Sequence, residues 1–231
     1  MKCYECNTVN EAWEYWYDTL ANMKSDGFQI NSRDGGVCGE VLNAVTVISD
    51  PTKNLVTSNK RNLSVRYAIG ELLWYLSGSN KVKDIRKFSK AWDSLSDDGR
   101  TINSAYGYRI FEKFGFDQWE YVKTLLRRDP NSRQAVIHIK DPDSKPTRDL
   151  PCTIALQYFI RDKKLFATTY MRSNDIWLGF PYDVFTFTSL QIKLAFELGL
   201  DIGEYTHIAG SLHLYDRNSP KAPSNETTTT S

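Results

Sequence analysis

The segment Leu150-Pro151-Cys152-Thr153 places a cysteine directly before an apolar run. Such a thiol is either an inert packing residue or a nucleophile that works as its thiolate. Farther along, Met171-Arg172-Ser173-Asn174-Asp175 closes a second apolar run with polar residues. Arg172 can pair with Asp175 at the surface, or it can bind a phosphate and favour the thiolate of a neighbouring cysteine. In Leu178-Gly179-Phe180-Pro181-Tyr182-Asp183, Gly and Pro set a turn. Asp183 then stands where an apolar helix begins, as a cap or as an acid offered to a ligand. In Gly210-Ser211-Leu212-His213-Leu214-Tyr215, alternation puts Ser211, His213 and Tyr215 on one strand face. His213 and Tyr215 suit structural bonds or the hydroxyls of a sugar. Glu71 is followed by the apolar and aromatic residues 72–76, so it is either one charge on an amphipathic helix or a placed acid.

The elements that must position these groups are legible in part. Trp13, Trp16, Tyr17, Leu20 and Met23 recur at helical spacing over residues 10–24. Residues 27–39 are polar and glycine-bearing, which predicts a loop, and a strand over 41–49 follows. Over 64–77, Val65, Ile69, Leu72, Leu73 and Leu76 share one helical face, which predicts that this face packs on the core. Another helix spans 116–128, closed by Asp129-Pro130-Asn131. Runs at 134–140, 153–160 and 164–171 predict three strands, with a hairpin turn at Arg161-Asp162-Lys163-Lys164. Residues 184–199 form an apolar helix, Ile202-Gly203 ends that unit, and 204–215 returns to strand. Mixed elements without repeats or an interior linker predict an α+β domain. Residues 218–231 are polar and low in complexity, which reads as a disordered tail behind a catalytic domain over 1–217.

The chain has 231 residues, 41% of them hydrophobic and 25% charged. That is enough for one sizeable core or at most two domains. The net charge of +1 gives no basic field for nucleic acid, so anion binding must come from a few placed arginines. No apolar run approaches the roughly 18 residues of a membrane span. The N-terminal segment lacks the apolar stretch of a signal peptide. Four cysteines, Cys3, Cys6, Cys38 and Cys152, are too few for a disulfide scaffold. These features predict a soluble cytoplasmic protein in a reducing compartment. Cys3-x-x-Cys6 has no second pair and no nearby histidine, so no metal is expected.

The motifs LPC, QY, RSND, LGxPYD and GSLHLY, in this order, resemble the thymidylate synthase family. The resemblance runs from about residue 28 to 217. Upstream, Glu71-Leu72-Leu73-Trp74, Trp92-Asp93, Ala105-Tyr106-Gly107 and Asp129-Pro130-Asn131-Ser132-Arg133 agree with it. It implies a single α+β domain on a large mixed sheet, with two sheets stacked across a homodimer. It also implies Cys152 as a nucleophile that adds at C6 of a pyrimidine nucleoside monophosphate, so that C5 attacks a one-carbon unit. The co-substrate would be 5,10-methylenetetrahydrofolate.

By the same resemblance, Arg33, Arg172, Ser173 and a partner-chain Arg133 hold the 5′-phosphate, and Gln157 supports that region. His213 and Tyr215 bind the ribose 3′-hydroxyl. Asn174, Asp175 and Asp183 belong to the nucleotide site. Glu71 moves protons at the base, and Tyr106 is an active-site tyrosine. Trp92, Glu71, Asp175 and Gly179 border the folate.

Three departures matter. Asp183 stands where thymidylate synthases carry asparagine, the amide that reads uracil. A carboxylic acid can donate to N3 of cytosine and accept from its amino group. Asp183 therefore argues for a cytidylate, dCMP or CMP. Cys-Thr after the nucleophile, IRDKK, MRSND and GSLH also resemble phage deoxycytidylate hydroxymethylases. Second, the polar end shows no apolar segment to close over folate, which predicts that water and not hydride completes the transfer. Third, Gln134 follows Arg133 where the family often has another arginine. The alternatives are a thymidylate synthase or cytidylate methylase, and a non-catalytic nucleotide-binding homologue.

Overall fold

The computed structural model describes residues 2–23, 28–31, 37–142 and 147–219. Thr8 caps α1 (Val9–Ala21) by accepting from the Glu11 N–H, and the predicted face of Trp13, Trp16, Tyr17 and Leu20 is buried. Trp13 Nε1 donates to the Ile176 carbonyl and Trp16 Nε1 to Thr46 Oγ1, both at 2.8 Å. The two largest core side chains thus lose no hydrogen bond on burial.

The strands are β1 (Lys2–Cys6), β2 (Phe28–Asn31), β3 (Val37–Ile48), β4 (Val136–His138), β5 (Thr153–Arg161), β6 (Lys164–Met171), β7 (Asn174–Asp175) and β8 (Asp201–Tyr215). They form one mixed sheet in the order β1-β3-β8-β6-β5-β4, with β2 on β3 and β7 on β8. The predicted hairpin joins β5 and β6. Its turn residues Asp162 and Lys163 have φ of 49° and 60°, the left-handed values a tight hairpin demands. β2 and the first residues of β3 lie in the segment 27–39 expected to be a loop, and β1 lies where the sequence predicts no element. β1 pairs in parallel with 44–48, and β2 antiparallel with 37–40. Their pairing with β3, and not an apolar pattern of their own, makes them strands.

The remaining helices are α2 (Val65–Leu76), α3 (Val82–Ile85), α4 (Tyr106–Phe111), α5 (Gln118–Arg128) and α6 (Phe180–Leu198). α6 is buried on most sides beneath the sheet. Pro181 stands in its first turn, and Gly199, at φ 68°, ends it in the left-handed conformation. Ile202 and Gly203 therefore open β8 and do not close the helix. Asp183 lies inside the first turn, so it is not the cap.

α2 corrects a prediction. Val65, Ile69, Leu73 and Leu76 are 46, 47, 56 and 37% exposed. The buried residues are Ala68, Gly70, Glu71, Trp74 and Tyr75. The helix is turned so that its one acid faces inward.

β3 and β8 change faces midway. Ala44, Thr46, Ile48, Tyr205, His207 and Ala209 are buried on one side, and beyond Asn43 and Gly210 the core residues are Val41, Leu212 and Leu214. Asn43 sits at φ 53° at this change. Glu40, opposite His213 in the register, then shares a face with Ser211 and Tyr215.

Candidate active site

Cys152 stands at the entrance of β5, partly buried. Tyr106, 7% exposed at the start of α4, accepts hydrogen bonds from the Cys152 and Thr153 N–H groups, each at 3.1 Å. Burial raises the Tyr106 hydroxyl well above its ordinary range, with the charges of Cys152 and Asp183 adding to the effect. It stays protonated and keeps its own proton to donate. Arg172 follows β6, and its backbone N–H donates to the Cys152 carbonyl at 2.9 Å. Its Nε donates to the Pro151 carbonyl at 3.0 Å, and its Nη2 lies 3.1 Å from the Leu150 carbonyl and 3.5 Å from Cys152 Sγ. A guanidinium aimed at the sulfur favours thiolate over thiol. Arg172 is exposed, and among the described residues it forms no ion pair with Asp175. Asp175 Oδ1 accepts instead from the Trp177 and Leu178 N–H groups at 2.7 and 3.1 Å.

Asp183 and Glu71 are the two acids of the site whose protonation burial shifts. Asn174 Nδ2 donates to Asp183 Oδ2 at 2.8 Å. Gly179 permits this packing, because a Cβ there would stand 2.9 Å from Asn174 Nδ2 and 3.0 Å from Asp183 Oδ2. Burial pushes Asp183 up to about 7; the Asn174 hydrogen bond pulls the other way, and the Asp175 charge adds to the rise. A helix N-terminus favours a carboxylate by only about 1 kcal/mol, so burial outweighs it here. Glu71 is 6% exposed, and burial with the Asp183 charge pushes it up to about 8. Tyr67 donates to Glu71 Oε1 at 2.8 Å, and Trp92 Nε1 donates to the Tyr67 hydroxyl at 3.0 Å. At neutral pH the pair holds at least one proton between them.

Aromatic side chains continue outward from Glu71. Tyr67 meets Tyr182 edge-on at 4.7 Å, and the Arg61 guanidinium lies over Tyr182 and Trp177 at 5.4 and 5.0 Å. Leu178, 53% exposed, follows Asp175 in the turn before Gly179. Flat aromatic walls thus stand beside the buried acid Glu71, with Trp92 behind it through the Tyr67 hydroxyl. A separate cavity of about 680 Å³, bordered by Leu73, Ser79, Lys81 and Lys87, lies against the outward side of α2 and not at Cys152.

β7 and β8 bring His213 beside Asp175, their register partners, and the His213 carbonyl accepts from the Ile176 N–H at 2.9 Å. Tyr215 meets the His213 ring edge-on at 5.2 Å. Ser211 donates to Glu40, which is 9% exposed. Ser173 is partly buried between Arg172 and Asn174. Two residues stand apart from Cys152 in this chain. Gln157 lies five positions along β5, roughly 15 Å away at strand rise. It donates to the carbonyl of exposed Arg133 at 3.0 Å and accepts from Tyr170 at 3.0 Å. Arg33 and the segment 220–231 lie outside the described residues. Cys3 and Cys6 are three apart on β1, so they face opposite sides.

The thymidylate synthase family model matches residues 14–228. The chain belongs to the thymidylate synthase family. Its fold is that family's: the thermostable thymidylate synthase A of Bacillus subtilis superposes with a TM-score of 0.73 at 25% identity, over 90% of this chain and 80% of that one. Among sequences, the deoxyuridylate hydroxymethyltransferase of Bacillus phage SP01 is 29% identical over 87% of this chain. The thymidylate synthase of Bacillus atrophaeus is 34% identical over 68% of it. This chain spans 56% of the phage protein and 74% of the bacterial one. Both named relatives are one-carbon transferases.

The sequence motifs do not include Tyr67, Glu40, Tyr205 or His207. Tyr67 lies one helical turn before Glu71, a spacing that brings side chains together. Glu40 is a lone charge in the β3 run, and His207 alternates with Tyr205 along β8. Each pattern is visible only once burial is known.

Proposed function

We propose that this chain is an enzyme that transfers a one-carbon unit from 5,10-methylenetetrahydrofolate to C5 of a cytidine monophosphate, dCMP or CMP, and leaves it as a hydroxymethyl group. The observation that carries the reading is Asp183, an acid pushed up to about 7 whose Oδ2 is occupied by the Asn174 amide. A protonated carboxyl donates to N3 of cytosine and accepts from the 4-amino group, the inverse of the uracil pattern. Family membership and the phage hydroxymethyltransferase relative support the chemistry.

The Cys152 thiolate adds at C6, which turns C5 into an enamine-type nucleophile. Arg172, Ser173, Arg33 and the Arg133 of a second copy hold the 5′-phosphate and so place C6 over the sulfur. His213 and Tyr215 hold the 3′-hydroxyl. Glu71, with Tyr67 and Trp92 behind it, delivers and removes a proton at the base. When bound, methylenetetrahydrofolate supplies carbon at the oxidation level of formaldehyde and leaves as tetrahydrofolate. C5 gives up its proton, water supplies the hydroxyl, and Cys152 leaves as thiolate, so no oxidant or reductant is needed.

The second copy has support in the sheet. Phe159, Phe166 and Ile208 are partly buried on the face away from α1 and α6, and Gln157 and Arg133 lie at that face. Two such faces stacked would make a homodimer that shares Arg133. On this reading residues 1–217 form the catalytic domain. None of the four cysteines forms a disulfide, which supports a cytoplasmic location. Among the described residues no helix is long and apolar enough to cross a membrane.

A uridylate substrate is the second reading, favoured by the names of the relatives. The test incubates the protein with methylenetetrahydrofolate and dCMP, CMP or dUMP and identifies the product by mass. A gain of CH2O on a cytidylate, without dihydrofolate, is expected. A gain of CH2 on dUMP with dihydrofolate formed would overturn the reading.

A further inference from the structure

Asp183 ends a buried line of polar groups that takes no direct part in the proposed reaction. Thr169, Tyr205, His207 and Asn174 are 1, 0, 1 and 3% exposed. The hydroxyls of Thr169 and Tyr205 are 2.8 Å apart, and that of Tyr205 lies 2.9 Å from His207 Nδ1. His207 Nε2 lies 2.9 Å from Asn174 Oδ1, and Asn174 Nδ2 lies 2.8 Å from Asp183 Oδ2. The line runs from β6 through β8 and β7 to the first turn of α6.

A neutral imidazole offers one donor and one acceptor, so the line has two self-consistent polarities. Burial holds His207 down to about 3, which excludes the imidazolium at neutral pH. In the first polarity His207 donates through Nδ1, the Asn174 amide is turned over, and its oxygen demands a permanent proton from Asp183. In the second, the single proton of the Tyr205 hydroxyl turns from Thr169 Oγ1 to His207 Nδ1, the Thr169 hydroxyl rotates to donate in its place, Nε2–H donates to Asn174 Oδ1, and Asn174 Nδ2–H to Asp183 Oδ2. Only the second serves the carboxyl in both protonation states, and it strengthens when the carboxyl is charged.

We infer that His207 is a specificity-determining positioning residue: as the Nε2–H imidazole it orients the Asn174 amide, keeps Asp183 Oδ2 an acceptor, and confines the acid proton to Oδ1. The inference rests on the cytidylate reading. With the proton confined, Oδ1 donates to N3 of cytosine while the second lone pair of Oδ2 accepts from the amino group. A carboxyl free to move its proton to Oδ2 would present an acceptor to uracil N3–H as well. The line therefore sharpens the choice between the two bases through Asp183.

The experiment has two arms. Nitrogen-15 NMR of the imidazoles at neutral pH reads the His207 tautomer directly, and Nε2–H is expected. Dissociation constants for the pairs dCMP/dUMP and CMP/UMP are then measured for the unaltered protein, His207→Phe and His207→Gln. The preference for cytidylate should fall roughly 10- to 100-fold in His207→Phe. His207→Gln, whose amide can donate to Asn174, should recover most of it. A merely structural role would weaken both nucleotides alike. An Nδ1–H tautomer, or a folded His207→Phe with an undiminished preference, overturns the inference alone. A preference of the unaltered protein for uridylate overturns the cytidylate reading, and this inference with it. Should His207→Phe fail to fold, the tautomer and His207→Gln decide.

Discussion

The hydroxyl of Tyr106 accepts from the backbone of Cys152 itself, at 3.1 Å, and equally from Thr153. Cys152, the proposed nucleophile, is thus held through its main chain, while Arg172 reaches its sulfur. Tyr106→Phe leaves Thr153, a buried residue, and its neighbour without this acceptor. An unmade buried bond costs about 1–3 kcal/mol. A lower melting temperature is expected together with a rate reduced roughly tenfold or more, read as release of tritium from C5. An unchanged rate would show that Cys152 needs no such anchor.

Asp183→Asn replaces an acid by the amide that reads uracil. On the cytidylate reading, cytidylate turnover should fall by roughly 100-fold, and uridylate should bind better. In the unaltered protein kcat/KM for cytidylate should decline as pH rises through about 7, because the donating acid form is lost there. That limb should be absent when the variant binds uridylate. Paired pH profiles check both statements.

Glu71 carries a linkage of defined sign. Its folded value is about 8 against an ordinary 4.5. Below about 4.5 it is protonated in both states, and its contribution to stability is fully present. Between these values only the unfolded chain ionises, so stability is lost as pH rises towards about 8. Glu71→Gln, which can still accept from Tyr67, should therefore match the unaltered melting temperature near pH 4.5 and exceed it by several degrees above pH 8. Equal melting temperatures at both ends would show that Glu71 is not held protonated.

The orientation of α2 gives a sharp contrast between neighbours. Leu73 is 56% exposed and Trp74 4%. Leu73→Lys should change stability by about 0.5 kcal/mol or less. Trp74→Ala should cost roughly 3–5 kcal/mol. Denaturant melts of the two variants decide it, and the reverse order would restore the helical face predicted from sequence.

The proposed dimer, with Arg133 shared between its sites, predicts complementation. Cys152→Ala and Arg133→Ala homodimers should each be nearly inactive. Mixed after reversible dissociation, they should form dimers with one site that retains both residues. Recovery of about a quarter of the activity is expected from random pairing, since half the dimers are mixed and each keeps one of two sites. No recovery in verified mixed dimers would exclude sharing.

The sequence made α1, α5, the β5–β6 hairpin and α6 legible, because apolar period or length decides those elements. β1 and β2 were not legible, since they become strands by pairing with β3. The face of α2 was misread for a different reason. Periodicity finds the apolar side of a helix, and here the inward side is the one that carries Glu71 with Trp74 and Tyr75. Motifs singled out Cys152, Arg172, Asp183 and His213 as site candidates. They could not locate Tyr67 or His207, whose importance comes from burial and partners on other elements.

The close packing of Gly179, Asn174 and Asp183 has a historical consequence. The Gly179 position has no spare room, so residue 183 cannot drift freely in size. An exchange of aspartate for asparagine changes one atom, oxygen for nitrogen, and leaves the volume almost untouched. On the cytidylate reading, a descendant lineage could change the base it modifies without rebuilding any wall of its pocket. Two metabolic fates could then diverge from one ancestral scaffold through a substitution that leaves the packing of the pocket almost unchanged.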